Sequence, residues 1–283
     1  MTKFFSRRLN QAHQHNSQML TDHYPQIRGL ILDMDGVLWH DSEPIGNLPE
    51  VFSAISRMGL KVAFATNNAT KSVSEFQHKL SRFGVQVKPE QIVTSANAAL
   101  RFISTHYAPA SRVYVLGSNS LREQVHQKGF AVLDDQEPAV ADVVLVALDT
   151  EVNYQKLANA GFLIRNGAQF IATNTDATYP TPKGLMPGAG TIVAAVAAAS
   201  GQEPLVIGKP QPTMFHQAME IMGAQPYETL CVGDRLETDV LGGQNAGCPT
   251  ALVLGGVSTL EQAQAWQPQP TIIAKDLSSL IND

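Results

Sequence analysis

Two aspartates separated by one residue follow the apolar run Gly29–Leu32. In extended backbone, residues two positions apart face the same side, so the carboxylates of Asp33 and Asp35 can share a pocket while Met34 points away. Paired carboxyl groups resist joint ionisation, so one can attack as a nucleophile while the other transfers a proton. A solvated turn is the alternative, because Asp and Gly are both turn formers.

Three further apolar runs also end in polar residues, and the first of them leads into Thr66, Asn67 and Asn68. A hydroxyl group followed by backbone amides in a strand-to-loop turn can form a nest for a phosphate group. A polar turn whose side chains cap the next helix is the alternative. We assign no role to Asn68.

The second of these runs ends in Gly208, Lys209 and Pro210. A lysine at a strand end can neutralise both a nucleophile and a phosphate oxygen as a point charge. The alternative is an ordinary surface lysine. It is not a Walker lysine, because Glu203 and Pro210 break the G-x-x-x-x-G-K-[ST] spacing.

The third run ends in the segment GDRLETD, which carries Asp234 and Asp239. An oxygen-rich site built on Asp33 and Asp234 suits Mg²⁺, which keeps several waters and uses few carboxylates. Alternatively, Asp234 caps the following helix and Asp239 offsets the dipole of that helix.

The elements that must position these residues follow a repeating strand–helix pattern. Short β-branched runs alternate with stretches of helical spacing, which is typical of βαβ units around a parallel sheet. Ligands bind at the carboxyl ends of the strands in such a sheet, so we expect the four polar strand ends to meet at one edge. The runs that we interpret as strands are Gly29–Leu32, Leu60–Ala65, Arg112–Leu116, Asp142–Leu148, Gln169–Ala172, Leu205–Ile207, Thr229–Val232 and Thr250–Leu254.

The order of these elements predicts a core interrupted by a second α/β unit. We expect an N-terminal extension over 1–26, core segments over 27–107 and 203–283, and the inserted unit over 108–202. His13 and His15 lie in the polar extension, where histidines are most often solvated. Helices are expected near Pro49–Met58, Val73–Phe83, Ser95–Tyr107, Ser120–Lys128, Tyr154–Asn166, Gly190–Ser200, Thr213–Met222 and Thr238–Ala246.

The composition limits the classes of protein. A formal net charge of −5 over 283 residues argues against a nucleic-acid polymer as partner. We expect no secretory signal and no membrane span, because no apolar run has the required length and flanks. Cys231 and Cys248 form no C-x-x-C pair, so we expect a reducing, cytoplasmic setting. The H-E-x-x-H and strand-associated G-x-G-x-x-G spacings are absent, which disfavours zinc hydrolases and dinucleotide binding.

In order, the segments DMDGV, TNN, GKP and GDRLETD resemble the four motifs of the haloacid dehalogenase (HAD) superfamily. The insertion between TNN and GKP contains the segment ATNTD (172–176) and resembles subfamily IIA, which includes NagD-like, p-nitrophenyl, and pyridoxal or phosphoglycolate phosphatases. The resemblance covers Arg28 to the C-terminus. It implies an α/β fold with a three-layer Rossmann-like core around a parallel sheet and an inserted α/β cap domain.

The resemblance also implies roles for the acidic residues. Asp33 would be the nucleophile and a Mg²⁺ ligand. Asp35 would protonate the leaving group and then activate water, with its backbone carbonyl on the metal. Asp234 would bind the metal and Asp239 would stand in its outer shell. Dehalogenases lack an acid at the position of Asp35, so its presence favours phosphoryl chemistry.

By the same resemblance, Thr66, the amide of Asn67 and Lys209 would hold the transferring phosphoryl group. The inserted cap would close over the pocket and contact the leaving group. The cap residues that match the substrate-facing loop are Asn174, Asp176 and Tyr179, for which a strand-end turn is the alternative.

The helix near Gly190–Ser200 resembles the cap surface through which relatives form dimers, so a homodimer or higher homo-oligomer is expected. Burial of this alanine-rich helix within a single chain is the alternative.

Together these features favour a Mg²⁺-dependent phosphatase that hydrolyses small phosphorylated metabolites through an aspartyl-phosphate on Asp33. A phosphotransferase or mutase of the same superfamily is one alternative, and a non-catalytic phosphate-binding protein is another. The intact set of Asp33, Asp35, Lys209 and Asp234 disfavours the last, because a binding protein needs no pair of catalytic acids. The sequence leaves the physiological substrate open.

Overall fold

The computed structural model describes residues 20–136, 138–181 and 184–282. Most of the predicted N-terminal extension, including His13 and His15, lies outside the described residues. Within them, helices alternate with strands, and the strands form two parallel sheets and two short antiparallel hairpins. The predicted α/β class is confirmed.

The larger sheet has six parallel strands with Gly29–Leu32 near its centre. Leu32 pairs with Val232 on one side and with Phe64 on the other, so the strand ends that follow them lie side by side. In spatial order, the strands of this six-stranded sheet are Ile272–Ala274, Thr250–Val253, Thr229–Gly233, Gly29–Leu32, Lys61–Thr66 and Ile92–Thr94.

The six-stranded sheet is covered on both faces. Leu30, Leu32 and Phe64 pack into one apolar cluster, whereas Ile31 and Ala63 pack into another. Successive side chains of a strand point to opposite faces, so these two clusters mark two layers of helices around the sheet. Burial on both faces explains why its strands read as unbroken apolar runs.

The smaller sheet has five parallel strands, which in spatial order are Leu205–Val206, Gln169–Ala172, Val143–Val146, Arg112–Leu116 and Ala131–Val132. One hairpin pairs Thr178–Thr181 with Gly184–Pro187. The other pairs Trp39–His40 with Glu43–Pro44, directly after the central strand of the six-stranded sheet.

Several helices begin at side chains that satisfy their first backbone amides. Ser72, for example, accepts a hydrogen bond from the Glu75 amide while the Glu75 carboxylate accepts one from the Ser72 amide, which is a capping box. No helix in the described part of the chain is both long and apolar enough to cross a bilayer. The α-helices are Leu20–His23, Leu48–Arg57, Val73–Arg82, Ser95–His106, Asn119–Gln127, Tyr154–Arg165, Ala189–Ser200, Thr213–Met222, Leu241–Asn245, Leu260–Ala265 and Leu277–Asn282. Short 3-10 turns lie at Pro89–Gln91 and Pro226–Glu228, and a π-helical turn lies at Leu236–Val240.

The structure corrects the prediction that all four polar strand ends belong to one sheet. Leu205–Val206 pairs with Gln169–Ala172 and is an edge strand of the five-stranded sheet. A short apolar run indicates a buried strand but carries no information about which neighbour it pairs with. Lys209 therefore reaches the six-stranded sheet from a connection between the two sheets. The predicted domain boundaries stay predictions.

Candidate active site

Asp33, Thr66 and Asp234 lie at the carboxyl ends of three adjacent strands. The Asp33 amide donates to the Val232 carbonyl at 2.9 Å and so continues the strand pairing by one residue. Oxygens of Asp33, Asp234 and Asp239 lie within 4.8 Å of one another. Two strand ends and the helical turn Leu236–Val240 therefore gather three carboxylates at one point of the sheet edge.

Lys209 lies among these carboxylates with 3% of its surface exposed. Its Nζ donates to Asp33 Oδ1 at 2.6 Å, to Asp239 Oδ1 at 2.5 Å and to the Ala65 carbonyl at 3.0 Å. These three bonds use all the donors of an ammonium group. The alternative that Lys209 is an ordinary surface lysine is wrong.

Burial dominates the electrostatics of this cluster. It raises the pKa of Asp33 well above the usual range, although the positive charge of Lys209 acts in the opposite direction. Burial, followed by the charge of Asp239, raises the pKa of Asp234 to about 6. Burial alone would lower the pKa of Lys209, but Asp239 and Asp33 outweigh it and raise that pKa. Lys209 therefore stays charged. Its one positive charge does not offset the effect of burial on the carboxylates of Asp33 and Asp234.

The side chain of Asp234 is held from the far side by the loop after Thr250–Val253. Its Oδ2 accepts the Val257 amide at 2.8 Å. The adjacent helical turn begins at Leu236, whose amide donates instead to Ser258 Oγ at 3.1 Å. The alternative that Asp234 caps this helix is therefore wrong, and Asp234 remains available to a ligand.

Thr66 and Asn68 form the predicted polar turn. Thr66 Oγ1 accepts the Asn68 amide at 3.1 Å, which leaves the hydroxyl proton of Thr66 able to donate. Asn68 Oδ1 accepts from the amide and the hydroxyl of Thr70 at 3.1 and 2.7 Å. The turn and the phosphate-nest interpretations are thus compatible.

Asn67 joins the site to the segment that follows Gln169–Ala172. Its Nδ2 donates to both carboxylate oxygens of Asp176 at 3.2 Å and to the Lys209 carbonyl at 3.0 Å. Asn174 Nδ2 donates to the Asn67 carbonyl at 2.8 Å. Burial raises the pKa of Asp176, and Lys209 opposes this effect. Tyr179 instead lies in the hairpin opposite Met186, and no described hydrogen bond links it to the site.

Asp35 is half-buried, and its Oδ1 accepts the indole N–H of Trp39 at 2.7 Å. Sequence reasoning missed Trp39, and it also missed Val257 and Ser258. The only available signal for Trp39 was its position four residues after Asp35. Ser258 follows a strand end of the same sheet, as the predicted residues do, but a serine in a glycine-rich loop indicates little by itself.

The donor set fits a hard divalent cation. Asp33 Oδ2 and Asp234 Oδ1 take part in none of the hydrogen bonds described, whereas both oxygens of Asp239 are used by Lys209 and the Arg235 amide. Three carboxylates against one ammonium leave an excess of two negative charges when all are ionised. Oxygen-only ligands and this charge suit Mg²⁺ better than a soft transition metal.

Two family models match the chain. Residues 30–131 match a model described as haloacid dehalogenase-like hydrolase, and residues 206–280 match one described as HAD-hydrolase-like. An acid sugar phosphatase from Staphylococcus aureus strain USA300 is 36% identical over 256 residues, which cover 90% of this chain and 97% of that protein.

Solved structures of phosphatases share the fold at similar identity. A p-nitrophenyl phosphatase from Archaeoglobus fulgidus has a TM-score of 0.83 and 30% identity over 90% of this chain and 98% of that one. NagD from E. coli K-12 has a TM-score of 0.79 and 32% identity over 89% of this chain and 97% of that one. A glycerol phosphate phosphatase from Mycobacterium tuberculosis, in complex with magnesium, has a TM-score of 0.83 and 34% identity over 94% of this chain and 79% of that one.

The class is defined by the carboxylate–lysine cluster at the carboxyl edge of a parallel sheet, together with these matches. The chain belongs to the haloacid dehalogenase-like hydrolases, in subfamily IIA. It is a hydrolase that acts on phosphoric monoesters. The predicted fold of a HAD core with an inserted cap is confirmed.

Gly36→Ala tests how tightly the carboxylate of Asp234 is placed. A Cβ at Gly36 would lie 2.5 Å from Asp234 Oδ2, so the carboxylate must move. We expect kcat/KM for p-nitrophenyl phosphate to fall by about tenfold to 100-fold, because small displacements of site groups are costly. The measurement is steady-state release of p-nitrophenol.

The matched control is Gly46→Ala. Both glycines have positive φ, +83° and +70°, but a Cβ at Gly46 meets nothing within 4 Å. Both variants carry a backbone strain on the order of 1–2 kcal/mol from the positive φ, which urea unfolding would report. Equal losses of activity in the two variants would show that strain, rather than displacement of Asp234, is responsible.

Proposed function

We propose that this protein is a Mg²⁺-dependent phosphatase that hydrolyses small-molecule phosphate monoesters through an aspartyl-phosphate on Asp33. The observation that carries the proposal is the buried cluster in which Lys209 touches Asp33 and Asp239 while Asp234 lies beside them. A purely phosphate-binding protein would need cations at this point and would gain nothing from three gathered carboxylates. We assign the reaction to this cluster and to the neighbouring Asp35.

In the first step, the Asp33 carboxylate attacks phosphorus and the bond from phosphorus to the ester oxygen breaks. The protonated Asp35 carboxyl transfers its proton to that oxygen, so the product leaves as a neutral alcohol. Two groups hold the phosphoryl oxygens: the hydroxyl of Thr66, through its proton, and the backbone amide of Asn67. No described hydrogen bond uses that backbone amide. Lys209 offsets negative charge at the nucleophile during transfer.

In the second step, the Asp35 carboxylate accepts a proton from a water molecule whose oxygen attacks phosphorus. The bond from phosphorus to Asp33 breaks, inorganic phosphate forms and both aspartates return to their starting states. Splitting the hydrolysis in this way replaces one difficult displacement with two easier ones. Asp35 has lost its proton in the first step and is therefore the base that the second step needs. A single carboxyl group thus serves both steps.

The carboxylates of Asp33 and Asp234 and the backbone carbonyl of Asp35 would hold the Mg²⁺ ion. The bound ion would supply positive charge to the phosphoryl oxygens and offset the carboxylate excess. Asp239 would stand in the outer shell of the ion, because its two oxygens already accept hydrogen bonds from Lys209 and the Arg235 amide.

The substrates that we propose are small alcohol phosphates. Names of similar proteins support this class: one is an acid sugar phosphatase and another a glycerol phosphate phosphatase. Asn174 and Asp176 lie beside Asn67, whose backbone amide we assign to the phosphoryl group. We propose that these two residues contact the leaving group, and we extend the proposal to Tyr179 on the neighbouring hairpin.

Asp33→Asn should abolish turnover, with a loss of more than about 10⁴-fold in kcat, because an amide cannot form the acyl phosphate. Wild-type protein quenched in acid during turnover should carry one phosphoryl group that hydroxylamine removes, and mass spectrometry should place it on the peptide containing Asp33. The variant should carry none.

Asp41→Asn is the matched control for that experiment, because Asp41 is an exposed aspartate on the hairpin after the site. It should keep both turnover and labelling. Labelling at another residue, or full activity in Asp33→Asn, would overturn the assigned nucleophile. Faster breakdown of the phosphoenzyme with an added alcohol, and no release to water, would instead indicate a phosphotransferase.

Asp35→Asn should lower kcat/KM for glycerol phosphate by about 10²–10⁴-fold, because an alkoxide leaves poorly without a proton. The loss for p-nitrophenyl phosphate should be much smaller, since p-nitrophenolate leaves without protonation. Inhibition by inorganic phosphate should stay close to that of the wild type, which shows that binding is kept. Equal losses for both esters would argue against proton transfer by Asp35.

Binding of Mg²⁺ should weaken on acidification. The pKa of Asp234 is raised to about 6 in the metal-free protein, so its proton stabilises the fold at low pH and that stabilisation is lost as the pH rises through about 6. Mg²⁺ must displace this proton, so its affinity should fall by at least about tenfold per pH unit below 6, and more steeply where Asp33 is protonated as well. The increase in Tm caused by MgCl₂ should therefore be large at pH 7.5 and small at pH 5.

NaCl at equal ionic strength controls for screening, and Asp234→Asn should lose the Mg²⁺-dependent shift at both pH values. A shift of the same size at pH 5 and pH 7.5 in the wild-type protein would contradict the prediction.

A further inference from the structure

Trp39 is a buried aromatic residue whose only polar group faces the proposed proton donor. None of its surface is exposed, and its indole N–H donates to Asp35 Oδ1 at 2.7 Å, at the short end of the range for such bonds. An indole N–H is a donor only and needs a partner when buried. Its partner here is a carboxyl group at the edge of the site.

The backbone between the two residues fixes this contact. The Leu38 amide donates to the Met34 carbonyl at 2.9 Å, and the Gly36 amide donates to the Trp39 carbonyl at 2.9 Å. Gly36 has a φ of +83°, which lets the chain turn back within four residues. The indole is thereby brought over Asp35 by a rigid turn rather than by a loose loop.

The ring itself is held on two further sides. Phe83 packs against it with ring centroids 5.9 Å apart and planes tilted by 47°. Lys79 Nζ lies 4.0 Å from the ring centroid and donates to the Asp41 carbonyl at 2.6 Å, which ties helix Val73–Arg82 to the hairpin. A ring held in this way cannot rotate its N–H away from Asp35 without disturbing its packing.

We propose that Trp39 is a positioning residue for Asp35. Its indole N–H holds Asp35 Oδ1, so that the transferred proton resides on Asp35 Oδ2. The inference rests on the proposed role of Asp35. With Oδ1 accepting the indole N–H, the neutral carboxyl has its hydroxyl at Oδ2. In the first step this proton passes from Oδ2 to the leaving oxygen, and in the second Oδ2 takes a proton from water. The indole orients the carboxyl and exchanges no proton itself.

The test compares two esters in the Trp39→Phe variant, which keeps an aromatic ring but lacks the N–H. We expect kcat/KM for glycerol phosphate to fall by about tenfold or more and that for p-nitrophenyl phosphate by less than about threefold, because only the first ester needs a well-aimed proton. For each ester, kcat/KM reports the phosphorylation step. It excludes the hydrolysis of the phosphoenzyme, which is the same for both esters.

Trp266→Phe is the matched control, since the chain has two tryptophans. The indole N–H of Trp266 faces Gln244 Oε1 at 3.5 Å and no residue of the site. This variant should leave the ratio of the two kcat/KM values unchanged.

A second replacement preserves the shape of the side chain. In the Trp266→Phe background, incorporation of β-(3-benzothienyl)alanine in place of tryptophan changes Trp39 alone and exchanges its N–H for sulfur within a ring of nearly the same size. The selective loss for glycerol phosphate should persist in this protein. Equal losses for both esters, or no loss for either, would overturn the positioning role.

Asp35→Asn measured with the same two esters separates this inference from the function on which it rests. A selective loss in Asp35→Asn but none in either Trp39 protein would refute the inference alone. No selective loss in Asp35→Asn would refute the proposed proton donor itself.

Discussion

The structure depends on the burial of one ammonium group between two carboxylates. Lys209 touches Asp33 and Asp239 at 2.6 and 2.5 Å while almost fully removed from solvent. Breaking such a pair by removing one partner leaves an uncompensated buried charge, which costs about 3–5 kcal/mol. The strand end at Asp33, the turn at Asp239 and the connection at Lys209 are therefore fixed relative to one another. The same constraint leaves Asp234 and the open oxygen of Asp33 facing a region short of positive charge, where a divalent cation fits.

Lys209 also connects the two sheets. Its backbone amide donates to Asn67 Oδ1 at 2.9 Å, and the Asn67 side chain in turn holds Asp176. Gly208 permits this approach, because a Cβ there would clash with the Thr173 carbonyl. One asparagine thus links a strand end of the six-stranded sheet to the loop after Gln169–Ala172. Asn67, Lys209, Asn174 and Asp176 therefore share a single hydrogen-bonded unit.

Much of the fold could be predicted from the sequence. The strands Gly29–Leu32, Arg112–Leu116 and Gln169–Ala172 have the predicted bounds, because their buried residues form unbroken apolar runs. The short strands Ile92–Thr94 and Ile272–Ala274 were missed, since each has only three residues and lies at an edge of the sheet. The predicted helix Thr238–Ala246 is instead a π-helical turn followed by the helix Leu241–Asn245. Its glycines at 242 and 243 are poor helix formers, so tertiary packing decides the local geometry there.

By itself the sequence determined the kinds of chemical group and their order along the chain, because strand ends and residue types are encoded locally. The tertiary structure decided which of those groups meet. Lys209 and Asp33 are 176 positions apart, and no local pattern distinguishes a lysine buried between carboxylates from one on the surface. The contact of Trp39 with Asp35 is close in sequence, yet it too depends on the packing of a distant helix against the ring. Periodicity predicts an element, whereas partners are chosen by burial and by the hydrogen bonds that buried polar groups must make.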